Sequence, residues 1–209
     1  TTLGAGSLSG IALSEIVLPP SVTSVGANAF AGCTALQSVI LGNKVTKINA
    51  GMCANVRLLN TVVIPEGVTE AGDTAFANCP MLTNVSLPST FGRGGAGMFK
   101  GINISSLNVM ASTPPTFGGT TPFPVELYSS CTLLVPASAI DLYKEADIWK
   151  NFNTIKTSGV TGPNVDEAED VVIAIYTLNG FKVSKPVGGQ VNIFRYRSGK
   201  TKKVFVPAY

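Results

Sequence analysis

Histidine is absent from the 209 residues. That removes the commonest general base, the usual metal ligand and any Ser-His or Cys-His nucleophile pair. Catalysis without imidazole would need a Ser-Lys or paired-carboxylate site, and no such convergent set stands out, so the chain reads as a non-enzyme with no catalytic residues. Charge is scarce as well: 13% of residues are Asp, Glu, Lys or Arg, against about a quarter in ordinary soluble chains. Together with 45% hydrophobic residues, this composition excludes disorder and requires a folded core. The net charge of +3 is modest and most basic residues are scattered, so no nucleic-acid partner is announced. No apolar run approaches the roughly 18 residues of a membrane span. There is no CxxC pair, and the acidic run Asp166, Glu167, Glu169, Asp170 lacks the alternation and glycine turn of a calcium loop. Neither a metal nor a cofactor is expected.

What is present is a sentence written several times. VGANAFAGCTALQSVIL, Val25 to Leu41, returns as AGDTAFANCPMLTNVSL, Ala71 to Leu87, and units of 23 residues open at Ile16, Val39, Val62 and Val85. Their third residues are Leu18, Leu41, Ile64 and Leu87, and their seventh are Val22, Val45, Val68 and Phe91. The fifteenth column is Phe30, Cys53, Phe76 and Phe99, and the twenty-first is Leu36, Leu59 and Leu82, leading into an LxxLxL strand. The seventeenth column, Gly32, Asn55, Asn78 and Gly101, predicts a left-handed corner, which those residues enter most easily. Upstream, Leu3, Leu8, Gly10, Leu13 and Ile16 match a unit shortened by one residue, so the sequence opens halfway round a coil and reads as an excised piece whose preceding residues, an export signal included, are open.

A period of this length means a solenoid: one turn cannot bury its own apolar face, whereas stacked turns share a continuous core. With rungs about 4.8 Å apart, the fifteenth and twenty-first columns become internal spines, and Thr23, Thr46 and Thr69 a hydroxyl ladder. Cys33 and Cys79 share a column two turns apart, too far to bridge, and all four cysteines read as buried free thiols. GRGGAG at 92–97 matches a dinucleotide fingerprint by letter, but its glycines fall in repeat columns and read as a loosened last coil. The middle residue of each LxxLxL strand faces outward. Val17, Ile40, Val63 and Ser86 therefore form a candidate partner-binding stripe. Ser24, Lys47, Glu70 and Arg93 share another outward position and differ in charge, as a variable surface column allows.

The phrases IVLPPSVTSVGANAFAGCTAL and VVIPEGVTEAGDTAFANCPML resemble BspA-like leucine-rich repeats, also called Treponema pallidum-like, over residues 3–108. Cys53 and Ala71 depart from that pattern, which usually has Phe and Ile there. CTLLVPASAIDLYKEADIWKNF, Cys131 to Phe152, is similar to the cap that closes such arrays in surface proteins of Bacteroides-like bacteria. Ser138 is expected to cap its helix with Asp141 completing the box, while Ile140, Leu142, Tyr143 and Ala146 form its apolar stripe and Trp149 and Phe152 fold over the last coil. Ala111 to Glu126, rich in Pro, Gly and Thr, reads as an irregular crossing into that cap.

After a polar linker, two alternating runs follow, with hairpin signals at Asn179-Gly180 and Ser198-Gly199. They predict a β unit of about four strands resembling the C-terminal segments of exported Bacteroidetes proteins. Its basic cluster Arg195, Arg197, Lys200, Lys202, Lys203 alternates with Phe194, Tyr196 and Val204, as a hairpin with one wet face would, or one touching an anionic surface. The expected fold is therefore mostly β with little helix: a solenoid with cap over 1–157 (partial turn 1–15, turns 16–38, 39–61, 62–84 and 85–108, cap 109–157), a linker 158–170 and a β domain 171–209. The resemblance implies an exported, outer-surface adhesion module recognising a host extracellular-matrix or cell-surface protein or glycan. A structural, weakly self-associating component attached through its C-terminal domain is the alternative.

Overall fold

The computed structural model describes residues 1–119 and 122–158 together with the backbone of four strands further on. These fall into two compact units, Thr1–Gly159 and Val160–Tyr209. The first is a coil of short parallel strands, and its elements follow from the repeat. The LxxLxL stretches form β2 (Glu15–Val17), β4 (Ser38–Ile40), β6 (Thr61–Val63), β8 (Asn84–Leu87) and β10 (Ser106–Val109). The second short segment of each turn forms β1 (Thr2–Leu3), β3 (Ser24–Val25), β5 (Lys47–Ile48), β7 (Glu70–Ala71), β9 (Arg93–Gly94) and β11 (Thr116–Phe117). Every pairing among them is parallel, and partners lie one repeat apart, as Ile16 with Val39 and Val39 with Val62.

The side without strands is held by a third set of rungs. Phe30 N–H donates to Met52 O (2.9 Å), Cys53 N–H to Ala75 O (2.8 Å) and Phe76 N–H to Met98 O (3.0 Å), each flanked by equivalent bonds two residues either way. These bonds turn the corners into a ladder. The corner itself needs positive φ, and Gly32 (68°), Asn55 (62°), Asn78 (59°) and Gly101 (69°) supply it where the sequence predicts. Four residues earlier stands a second left-handed column, Asn28 (55°), Gly51 (61°), Thr74 (53°) and Gly97 (58°), in which the β-branched Thr74 is strained by about 1–3 kcal/mol.

Inside, Phe30, Cys53, Phe76 and Phe99 are buried, as are Leu36, Leu59 and Leu82. Phe99 stacks between Phe76 (centroids 6.0 Å) and Phe123 (5.4 Å), so the spine runs past the last regular unit. Residues 111–119 and 122–126 are thus more regularly placed than their composition suggests. Within it β11 joins the second sheet by pairing with β9, and Phe123 occupies the next rung. The first sheet also continues beyond 108, through β12 (Thr132–Val135) and β13 (Thr154–Thr157), which follow the short helix α1 (Leu127–Ser130). The two Pro-initiated turns and their glycines mask a backbone that still finds its ladder partners.

The cap closes the core with rings. Trp149 lies 5.6–5.8 Å from Phe117 and Phe123, and Phe152 lies 5.5 Å from Phe123. Buried polar handles are satisfied: Trp149 Nε1 donates to Pro115 O (2.7 Å) and Tyr143 Oη to Ala111 O (2.8 Å). Two details differ from the sequence expectation. Ser138 caps nothing. It sits inside a 3-10 turn, Ala137–Ala139, that opens at Pro136 and runs straight into α2 (Ile140–Glu145), so backbone bonds replace the side-chain cap and Asp141 pairs with Lys144 instead. Leu142 is 53% exposed, because Tyr143 and Ala139 take the buried face of so short a helix. Ile148, just before the Trp149 turn, is held at φ 73°, a strained value for a β-branched residue.

The second unit is an antiparallel sheet, order β15-β14-β16-β17, from β14 (Val172–Thr177), β15 (Lys182–Val183), β16 (Gln190–Tyr196) and β17 (Thr201–Val206). The turn residues Asn179-Gly180 and Ser198-Gly199, and the linker 159–170, lie outside the described residues. Its register corrects the one-wet-face reading of the basic cluster. Lys202 pairs with Phe194, whereas Lys203 pairs with Ile193 and Arg195 with Thr201, so the cation positions divide between both faces.

Candidate partner-binding face

The first sheet sets the geometry of the candidate stripe. Because strands alternate, the residue between two core positions points away from the core. Val17, Ile40 and Val63 are direct cross-strand partners, and Ser86, Asn108, Leu134 and Lys156 form the equivalent row of the separate four-stranded sheet that follows in the chain. Val17 is 59% exposed; Ile40, Val63 and Ser86 are half-buried by their neighbours in the row. Two residues back along each strand lies a companion row of small polar groups, Glu15, Ser38, Thr61, Asn84, Ser106 and Thr132. The face therefore offers an aliphatic strip that becomes polar toward Ser86 and Asn108, bordered by hydroxyls and amides. Asn108 Nδ2 donates to Ser86 Oγ (3.2 Å), while Asn108 Oδ1 is buried without a hydrogen-bond partner.

The other candidate column behaves differently. Lys47, Glu70 and Arg93 are consecutive rungs of the second sheet, and Lys47 Nζ approaches Glu70 Oε1 to 2.7 Å. The Lys47 hydrogen bond and charge, helped by Arg93, hold the Glu70 carboxyl below its usual value. Ser24 lies on β3, which pairs with β1, not with β5. This column alternates in sign along the chain, with Lys47 and Glu70 engaged in an ion pair. The spacing of opposite charges one repeat apart, Lys47 then Glu70 then Arg93, is the sequence signal that identifies it.

Asn49 explains why the second sheet is interrupted there. Its column is otherwise Gly26, Gly72, Gly95 and Gly118, where a Cβ would meet the backbone of the preceding turn; at Gly72 it would lie 2.5 Å from Ala50 N. Gly72 N–H can therefore reach Ile48 O (2.7 Å). Asn49 carries a Cβ, so its turn stands off, and its Nδ2 reaches Val25 O (2.6 Å) in place of the backbone amide. The Gly92 to Gly97 run has the same origin: Gly94 lies under the Phe117 ring and Gly95 against the backbone of Gly72-Asp73. The threonine ladder is also backbone-directed. Thr69 Oγ1 donates to Thr46 O (3.4 Å) and Thr23 Oγ1 to Thr1 O (3.5 Å), so the hydroxyls reinforce the rungs without bonding one another.

The thiols offer no chemistry at the surface. Cys33, Cys53, Cys79 and Cys131 are free and buried. Burial, aided by the neighbouring Cys79 and Cys33, raises the Cys53 thiol well above its ordinary value, and burial pushes Cys79 and Cys131 up to about 11. Cys79 Sγ donates to Cys53 O (3.0 Å), a packing role. Among the described residues there is no cluster of His, Cys, Asp or Glu able to hold a metal ion, and no helix is long and apolar enough to cross a membrane.

A family model for the BspA-type leucine-rich repeat region matches residues 1–117 in six copies. The chain belongs to the BspA-type leucine-rich repeat family. Proteins of this family are generally protein-interaction modules, non-enzymatic scaffolds that are typically exported or surface-held in bacteria. Two solved structures are similar. One is the T. pallidum leucine-rich repeat protein, at 19% identity and TM-score 0.49 over 71% of this chain and 73% of that one. The other is a leucine-rich repeat protein from Bacteroides ovatus ATCC 8483, at 17% identity and TM-score 0.49 over 75% of this chain; the match spans 46% of that longer protein. No curated protein matches. The BspA-type repeat accounts for the constancy of the inward columns.

Proposed function

We propose that the solenoid is a non-enzymatic recognition module that binds a protein partner through the outer face of its first sheet, centred on Val17, Ile40, Val63 and Ser86. The observation that carries this reading is the continuity of the stripe: three β-branched apolar residues in strict cross-strand register, set beside a row of hydroxyls and amides. Exposed apolar strips with polar borders are the usual form of a protein-binding surface. The Lys47–Glu70–Arg93 column, with its Lys47–Glu70 ion pair, has less to offer. Family membership favours a partner at the bacterial outer surface, and an extracellular-matrix or cell-surface protein or glycan of a host is the specific class proposed.

An array of immobilised extracellular-matrix proteins and glycans, probed with the whole chain and with Ile40→Lys, tests the reading. Binding to an array member that Ile40→Lys abolishes, at an unchanged melting temperature, supports it. Binding indifferent to Ile40→Lys removes the face. Self-association through the same stripe is the alternative, and light scattering at raised concentration separates the two: a monomer throughout argues against assembly.

A further inference from the structure

The two units do not share the chain's charge. Residues 1–159 hold eight Lys or Arg and eight Asp or Glu, which cancel, while residues 160–209 hold seven and four and so carry the whole +3. Those four acids all lie at 166–170. The stretch 171–209 therefore has seven cations and no acid.

Strand register sorts the cation positions. One straight row crosses all four strands, with Lys182 opposite Tyr176, Tyr176 opposite Ile193, and Ile193 opposite Lys203. The next row on that face is Ala174, Arg195 and Thr201, and beyond the first row Val191 stands opposite Phe205. Cations thus occupy both edge strands and one inner strand, about 14 Å apart from edge to edge at the usual strand spacing. The same face carries the aromatic positions Tyr176 and Phe205 and the aliphatic positions Ala174, Val191 and Ile193.

We infer that this face of the C-terminal sheet docks on an anionic lipid bilayer. Lysine and arginine at the rim meet lipid phosphates, while tyrosine and aliphatic residues between them belong at the boundary of headgroups and acyl chains. The composition favours lipid over an acidic polysaccharide. A sugar chain is recognised through many hydrogen-bonding groups, and among the described residues the paired positions of this face include no Asn, Gln, Asp or Glu, the neutral polar ones being Tyr176 and Thr201. The solenoid, with equal numbers of cations and acids, carries no net charge of its own to bring to such a surface.

The test uses the full chain with vesicles of phosphatidylcholine alone and of phosphatidylcholine enriched in phosphatidylglycerol. Sedimentation with the anionic vesicles only, weakening as salt is raised, is expected. Each cation near such a surface is worth about 5-fold in affinity, so K182Q/R195Q/K203Q should lose about 100-fold. K44Q/R57Q/K100Q, the same charge change in the solenoid, should bind as the parent does. Circular dichroism checks that the sheet persists; if the triple variant unfolds, Lys182→Gln on the edge strand alone should lose about 5-fold, and K182R/K203R should retain binding. Equal loss in both triple variants would reduce the effect to net charge and overturn the inference. So would a lack of preference for anionic vesicles, or retention on dextran sulfate without retention on lipid.

Discussion

Gly72→Ala distinguishes stacking geometry from ordinary glycine behaviour. The backbone at Gly72 is not left-handed, so conformational entropy alone predicts that alanine stabilises by about 0.4–1 kcal/mol. Stacking predicts the opposite sign. The new Cβ would lie 2.5 Å from Ala50 N and 2.9 Å from Ala50 Cα, both backbone atoms that cannot rotate away. The turns would have to separate, weakening Gly72 N–H to Ile48 O (2.7 Å), Thr69 N–H to Thr46 O (3.0 Å) and Gly51 N–H to Asp73 O (2.9 Å). At about 1 kcal/mol net for each bond, the loss is about 3 kcal/mol, or about 2 after the entropic gain is subtracted. That corresponds to a fall of about 4–8 °C in melting temperature for a chain of this size. Thermal unfolding followed by circular dichroism reads it, with Gly4→Ala, where a Cβ meets nothing within 4 Å, as the control expected to be neutral or slightly stabilising. A Gly72→Ala protein as stable as its parent would refute the close approach of turns.

At the one position where the column already carries a side chain, Asn49→Ala should cost about 1–3 kcal/mol by leaving Val25 O unbonded, and Asn49→Gly should be the more stable of the two, reversing the usual order; urea midpoints decide. Phe99→Ala removes the ring shared by Phe76 and Phe123 and should cost about 3–5 kcal/mol, whereas Phe99→Leu should cost much less, again by urea titration. Ellman's reagent should find no fast-reacting thiol in the native described unit and four after unfolding; a rapid native reaction would contradict the burial of the cysteines. Burial raises the Cys79 and Cys131 thiols to about 11, so the folded chain keeps protons that the unfolded chain releases from about 8.5 upward. Their contribution is complete below about pH 8.5 and is lost as pH climbs toward 11, and Cys131→Ala should flatten that fall in unfolding midpoints measured across the window.

The solenoid was legible because burial writes itself into fixed columns. Leu36, Leu59 and Leu82 are identical, and nothing else fits a shared internal rung. The Gly32-Asn55-Asn78-Gly101 corner was legible for a similar reason, since only a few residues take positive φ cheaply. Its twin at Asn28, Gly51, Thr74 and Gly97 was hidden by Thr74, a residue the conformation disfavours but the surrounding rungs enforce. The glycines at 26, 72, 95 and 118 answer to a contact one turn away, which local patterning cannot display. Proline, glycine and threonine obscured the turn at 111–126, where Phe123 falls 24 residues after Phe99 and so slips out of the 23-residue register. At the candidate face, alternation alone identified Val17, Ile40, Val63 and Ser86; strand pairing places the first three in one row and sets Ser86 beside Asn108 in a separate sheet. What alternation does not tell is how far each is covered, since Ile40 and Val63 are shielded by neighbours that Val17 lacks.

The division of labour between constant inner columns and a free outer row is tested most directly by one charge-altering substitution on each sheet. Ile40→Lys and Lys47→Glu should leave the melting temperature within the ordinary range for surface changes. On the array of matrix proteins and glycans, Ile40→Lys should abolish retention and Lys47→Glu should preserve it. Retention lost with Lys47→Glu and kept with Ile40→Lys would contradict the account, because recognition would then lie on the second sheet.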